Sequence, residues 1–480
     1  MADLEFFGHI VDNEEVESID GTRFDVWNPW KREVWAQAAE GGEKDADRAI
    51  TSARKAFDEG PWPRMGRVER AKMIHKLADL MEARADEIAT LDSTNMAKPF
   101  EQAKHDVARS VWNFRFFADH QRDSVGEVYP MDSGHHSYSE FGPAGVVAAI
   151  SPWNFPLMMA SWKIAPAIAW GNTCIIKPSE DTPASVTYLG GLAAEAGFPP
   201  GVLNVLNGYG HPAGSTITGD DRVDRVTFTG SSTTGKAVMA SAATHLAPVS
   251  LELGGKGANI VFADADMDNA VYWAVEAIFR NAGQICLAGS RLFVQDAIYD
   301  EFMKRFVDAA EALTIGDPFD PATKFSSLAS KRHFDKVVSY VEGARDLGGT
   351  FHTGGIAEDG SWVVKPTIID GLALDAAPYC EEIFGPVCVV NRFETEEEAV
   401  HLANDTRYGL NAMLFTENLS RAHRVASKLR AGTVWVNCFF IRDLRTPFGG
   451  VGDSGVGREG GNFSREFFTE PKAVVMQISS

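Results

Sequence analysis

The stretch GVVAAISPWNFPLMMASWKIAPAIAWGNTCIIKPSE, residues 145–180, decides the fold class. It opens on the apolar run GVVAAIS (145–151) and closes on another, NTCIIKP (172–178), with helical chain between. Neither run alternates apolar with polar residues, so both faces of each strand must be covered. Two such strands joined by a helix form a parallel crossover unit. The pattern continues downstream in GVLNVLNG (201–208), DRVTFTG (224–230) and PVSLELG (248–254), with SVTYLGGLAAEAG (185–197) as one of the helices. These runs predict an α/β fold whose parallel sheet binds ligands at the carboxyl ends of its strands. Several strands end in SPWNFP, KPSE, NGYG, FTGS and ELGG, the pattern of a site built from loops on a rigid sheet.

Working outward, a second α/β region begins near 255 and runs to about 450, with strands at ANIVF (258–262), SRLFVQ (290–295), VCVVNRF (387–393) and GTVWVN (432–437). Upstream, TRFDVWNPW (22–30) predicts a β-element, and helices are expected over 66–92 and 101–120. The polar stretch 121–143 is expected to form a hairpin, and the tail 471–480 a terminal strand. Their position and β content suggest one shared sheet that mediates oligomerisation.

The chain has 480 residues, enough for two or three domains and a large core. Its net charge of −21, from 45 basic and 66 acidic residues, argues against nucleic acid or an anionic membrane as partner. No apolar run reaches the roughly 18 residues needed to span a bilayer. The acidic start MADLEFFGHIVDNEEVESID shows no signal peptide. The five cysteines, Cys174, Cys286, Cys380, Cys388 and Cys438, include no C-x-x-C spacing. That points to a reducing cytoplasm rather than a disulfide framework, and no metal site is expected. His135 and His136 lack metal-ligand spacing and are expected at the surface.

Five segments bear chemistry. In GQICLAGSR (283–291), Cys286 follows a helix in a glycine-rich turn, a setting for a nucleophile or for a plain structural thiol. In LELGGK (251–256), Glu252 closes an apolar strand. Partial desolvation there would raise its pKa toward that of a general base, although a solvated strand-end acid has the same local sequence. In SPWNFP (151–156), two prolines stiffen the loop that carries Asn154, whose amide suits an oxyanion, or which simply forms a turn. In KPSE (177–180), Lys177 and Glu180 suit ribose hydroxyls, and Glu180 would repel a 2′-phosphate. In FTGSSTTG (228–235), a strand leads to a helix start where Ser231 can face a pyrophosphate, without a G-x-G-x-x-G fingerprint.

Taken in order, PWNFP (152–156), KPSE (177–180), FTGS (228–231), ELGGK (252–256), GQIC (283–286), EEIFGPV (381–387) and PFGG (447–450) resemble the aldehyde dehydrogenase superfamily over essentially the whole chain. The resemblance implies an NAD-dependent oxidation of an aldehyde to a carboxylic acid. Cys286 would be the nucleophile, Glu252 the general base and Asn154 the side-chain half of the oxyanion hole. Pro152, Trp153, Lys177, Ser179, Glu180, Gly210, Gly230, Ser231, Gly235 and Leu253 would line the NAD site, with Glu382 and Phe384 at the nicotinamide ribose and ring. It also implies a Rossmann-like NAD domain (1–120 and 144–254), a catalytic α/β domain (255–453) and an oligomerisation sheet (121–143 and 467–480), in a homodimer or homotetramer.

Within that family, NCFFIRDLRTPFGG (437–450) and FRFFAD (114–119) look like the branch acting on muconate-type semialdehydes. Arg109, Arg442 and Arg445 are then candidates to hold a substrate carboxylate, since arginine matches its planar fork. The competing expectations are a broad-specificity aldehyde dehydrogenase and loop arginines paired with Asp443.

Overall fold

The structure is a computed structural model and describes residues 4–132, 134–357 and 359–478. The deciding stretch folds as strand Val146–Ile150, helix Pro156–Ala169 and strand Thr173–Lys177. The two strands are parallel neighbours, with Val146 opposite Thr173 and Ile150 opposite Lys177. Side chains point alternately into two separate cores. Val147, Ala149, Cys174 and Ile176 face one, and Val146, Ala148 and Ile175 face the other. That is why neither strand alternates in polarity. Each fully buried Val or Ile contributes about 1.5–3 kcal/mol.

Five parallel strands lie in the order Leu203–Val205, Thr173–Lys177, Val146–Ile150, Arg225–Thr229, Val249–Glu252. The chain therefore builds outward in one direction from Val146–Ile150 and then crosses back to build in the other. The reversal places a crevice between the carboxyl ends of Val146–Ile150 and Arg225–Thr229, where such sheets bind ligands. Antiparallel strands close both edges: His9–Val11 and Glu14–Val16 beyond Leu203–Val205, and Gly455–Val456 beside Val249–Glu252.

A second, seven-stranded sheet runs Thr350–Ile356, Val364–Asp370, Val387–Phe393, Arg291–Gln295, Ala258–Val261, Asn411–Phe415, Thr433–Val436. Only its first edge strand is antiparallel. A third sheet joins Val128–Tyr129, His135–Pro143 and Thr469–Gln477, with Pro143 opposite Thr469 and His135 opposite Gln477. Three more strands near the N-terminus, Glu5–Phe7, Glu33–Ala39 and Arg23–Asn28, form a small sheet of their own.

Some elements differ from expectation. The helical stretch expected over 66–92 is two helices, Arg67–Ala83 and Ala85–Met96, because Arg84 leaves the helical region at φ −115°, ψ 27°. Central strand Asn411–Phe415 escaped the sequence reading, since NAMLF holds no β-branched residue and its β character comes from its neighbours. Leu444 already lies in the core under the helices of the first sheet, so the chain returns to that sheet before residue 453.

Candidate active site

The crevice opens into a cleft with an empty volume of about 750 Å³. It is walled by the loop after Val146–Ile150, by Thr229, Gly230 and Ser231, by Leu253 and Gly254, and by Cys286. The opposite wall is His333, Lys336, Glu382 and Phe384 from the second lobe.

Asn154 is buried, and its Nδ2 donates to the Gln284 carbonyl at 2.8 Å. A carbonyl only accepts, so this bond orients the amide nitrogen toward the Cys286 turn. That turn is strained. After helix Met267–Phe279, Asn281 and Ala282 take φ of 51° and 54°. Such left-handed residues cost on the order of 1–3 kcal/mol each and persist only where their surroundings hold them. Here Gln284 does so: its Nε2 donates to the Asn281 carbonyl at 3.0 Å and its Oε1 accepts the Ala329 N–H at 2.9 Å. The turn brings the half-buried Cys286 thiol to the cleft. Burial, then Glu382 and Glu252, push that thiol up to about 12.

Glu252 ends its strand opposite Thr229 and Gly455. Both carboxylate oxygens are buried and have no hydrogen-bond partner among the described residues. Burial raises its pKa well above the ordinary carboxylate range, and Glu459 adds to this; Lys163, Arg442 and Arg458 oppose it. Glu459 is itself held by a buried ion pair to Lys163 at 3.2 Å, and Lys163 also donates to Thr227 Oγ1 at 2.9 Å. A carboxyl group so placed holds its proton to higher pH than a solvated one, as a general base requires.

The three arginines diverge. Arg442 stacks between the rings of Trp162 and Phe448, 4.0 and 3.8 Å from their centroids. Its Nε and Nη2 are buried without a hydrogen-bond partner among the described residues. Burial, then the like charge of Arg109, lower its pKa to about 9. Arg109 lies over Trp112 at 4.7 Å and is lowered by burial, with Asp443 opposing. Arg445 follows the competing expectation of a loop arginine paired with Asp443. It is exposed, and its Nε and Nη2 grip the two oxygens of Asp443 at 3.0 and 2.6 Å. A carboxylate two residues away thus engages its fork locally.

A model of the aldehyde dehydrogenase family matches residues 16–474. The chain belongs to the aldehyde dehydrogenase family. A 2-hydroxymuconic semialdehyde dehydrogenase of Pseudomonas sp. (strain CF600) is 45% identical over 98% of this chain and 99% of that protein. An aldehyde dehydrogenase of Alternaria alternata is 42% identical over 98% of this chain and 95% of its own length. The NAD⁺ complex of an aldehyde dehydrogenase from Bacillus cereus superposes with a TM-score of 0.97 at 40% identity, covering 99% of this chain and 97% of that one.

The cofactor of this dehydrogenase is NAD. The cleft fits it. Ser231 caps helix Ser232–Ala243, accepting the Thr234 N–H at 3.2 Å, and lines the cleft with Gly230, which puts a helix N-terminus where a pyrophosphate is favoured. Gly235 packs directly under Leu253. Glu382 Oε1 accepts the Gly255 N–H at 2.8 Å, and a Cβ on Gly254 would come within 2.2 Å of its other oxygen. The carboxylate thus packs against the glycine pair and lines the cleft. Trp153 packs against His333 and Phe384, with ring centroids 4.8 and 5.3 Å away.

Lys177, Ser179 and Glu180 sit farther out, past the neighbouring strand. Burial lowers Lys177 to about 8, and its Nζ donates to the Pro178 carbonyl at 2.9 Å. Ser179 Oγ accepts the Asp181 N–H at 3.3 Å, and Glu180 lies 3.5 Å from Arg332. Gly210 is exposed at the start of the short π-helix Gly210–Gly214, with open space around it.

The sequence reading missed His333, Lys336, Lys163 and Glu459. His333 and Lys336 sit three apart on helix Lys331–Asp346, a spacing that puts both on one face. Lys163 is the one charge in the otherwise uncharged helix PLMMASWKIAPAIA, and that isolation was the available signal.

Proposed function

We propose that this dehydrogenase oxidises a carboxylate-bearing semialdehyde of the muconate type in the breakdown of aromatic compounds. Cys286 serves as nucleophile, Glu252 as base and Asn154 as oxyanion donor. The observation that carries the substrate class is the Arg109–Arg442 pair. Burial, and after it the nearby Arg109 guanidinium, depress Arg442, and the buried edge of Arg442 has no partner among the described residues. Keeping two like charges together is costly; Asp443 near Arg109 and Glu252 and Glu459 near Arg442 offset part of that cost, and a substrate carboxylate offsets more of it. The similarity to a 2-hydroxymuconic semialdehyde dehydrogenase supports the same reading.

When bound, NAD supplies the hydride acceptor. The chain's residues do the rest. The Cys286 thiol gives up its proton to solvent water as Sγ adds to the aldehyde carbon, and the Asn154 amide with the Cys286 backbone N–H holds the oxygen that becomes anionic. Loss of one such donor costs roughly 2.7–4 kcal/mol in the barrier. Once the carbon is oxidised, a thioester remains on Sγ. Glu252 takes a proton from water, the water oxygen attacks the thioester carbon, and Cys286 leaves. Exposed Val128, Val475 and Met476 on the third sheet favour a homodimer or homotetramer that covers them.

The test compares NADH formation from 2-hydroxymuconate semialdehyde and from a neutral aldehyde of similar length, in parent, Arg109→Ala and Arg442→Met. A preference for the anion that falls on the order of tenfold or more in either variant supports the reading. Equal turnover of both aldehydes, unchanged by the substitutions, leaves a broad-specificity aldehyde dehydrogenase.

A further inference from the structure

Lys98 is one of the largest fully buried side chains in the protein, yet it carries a charge and stands outside the cleft. It follows Ala97, which holds φ 55°, and precedes helix Phe100–His120. Its ammonium group has three directions to satisfy. One N–H goes to the carboxylate of Asp106, nearly two turns into that helix. A second goes to the backbone carbonyl of Asn154 at 3.0 Å. The third side faces the ring of Phe155, 3.8 Å from its centroid. Two of the three contacts therefore grip consecutive residues of the SPWNFP loop. Asn281 Nδ2 donates to the same Asn154 carbonyl at 3.0 Å from the Cys286 turn.

A buried ion pair of this kind is seldom a net gain in stability over apolar residues of the same volume. Its worth must lie in what it holds. We infer that Lys98 is a positioning residue for the reaction: it pins the Asn154 main chain so that the side-chain amide stands ready for the developing oxyanion. This rests on the proposed role of Asn154. The donor on the amide is useful only at one place, and a displacement of about 1 Å in such a group costs on the order of 100-fold in rate. The backbone of Asn154 has no fold-wide anchor of its own at that point, because the loop has left strand Val146–Ile150 and helix Pro156–Ala169 has not begun. The Lys98 and Asn281 donors clamp that carbonyl from two sides.

The experiment is a double-mutant cycle of Lys98→Met and Asn154→Ala, read as kcat, KM for aldehyde and NAD affinity by quenching of tryptophan fluorescence. Lys98→Met is expected to lower kcat on the order of 10–100-fold with NAD affinity unchanged. In the Asn154→Ala background the same change is expected to cost less than about threefold, because the group it positions is gone. A merely structural lysine would cost the same in both backgrounds, and that result overturns the inference. A kcat within about twofold of the parent in Lys98→Met also overturns it. If Asn154→Ala alone leaves kcat unchanged, it is the proposed role of Asn154 that fails. Should Lys98→Met not fold, Lys98→Met/Asp106→Leu removes both charges, preserves the packing and is read the same way.

Discussion

The carboxylate of Glu252 lies against Gly449: a Cβ at Gly449 would stand 2.7 Å from Glu252 Oε1 and 3.0 Å from the Gly457 carbonyl. Gly449 also holds φ 142°, which a side chain rarely adopts. Two positions nearly two hundred residues apart in the chain therefore share one small volume, and the second glycine-rich loop sets where the proposed base can rest.

Gly449→Ala should push the Glu252 carboxylate out of place. Thioester hydrolysis is expected to slow on the order of 10- to 100-fold, with the first turnover preserved. Rapid-quench measurement of NADH would show a burst followed by a slow steady state, and Glu252→Gln should give the same burst with a still slower steady state. Loss of the burst in either variant would remove Glu252 from the hydrolytic step.

Glu459→Gln should change the pH dependence of hydrolysis. Burial is the main cause of the raised Glu252 pKa, and the charge of Glu459 raises it further. Removing that charge lowers the pKa. The acid limb of the hydrolysis rate against pH is expected to move to lower pH. An unmoved limb, or one shifted upward, would mean that Glu252 does not feel Glu459.

His333 links pH to stability. Its Nε2 lies 2.7 Å from the Phe384 carbonyl and so donates to it, and burial lowers its pKa from 6.5 to about 3. The unfolded chain takes up a proton as pH drops below about 6.5, whereas the native ring does not until about 3. Its stabilisation is therefore complete above about pH 6.5 and is lost progressively as pH falls toward 3. His333→Gln should flatten the fall in melting temperature over that window relative to the parent. Parallel curves for the two proteins would contradict the neutral, buried histidine.

Arg445→Ala serves as the contrast to Arg442→Met. Arg445 is exposed and committed to Asp443, so kcat/KM for an anionic aldehyde should stay within about threefold of the parent. A loss comparable to that in Arg442→Met would return Arg445 to the substrate site.

The parallel α/β sheet was legible because unbroken apolar strands such as VVAAI and TCIIK have to be covered on both faces. Strand Asn411–Phe415 was not legible, because its five buried residues gain their β geometry from Ala258–Val261 and Thr433–Val436 on either side. Among the candidate site residues, Cys286, Glu252 and Asn154 stood out because each interrupts a motif at a strand or helix end. His333 and Glu459 did not, since their surroundings carry no such interruption.

By itself the sequence determined the α/β architecture, the family and the identity of the candidate catalytic groups, because hydrophobic patterning and motif order are properties of the chain read in line. Only the tertiary structure decided that Arg445 pairs with Asp443 while Arg442 has a buried edge without a partner among the described residues. Only it set Glu459 beside Glu252 and Lys98 beneath Asn154. Desolvation and Coulomb forces act through space and at short range, so which charges meet depends on how distant segments pack, and no local stretch of sequence records that.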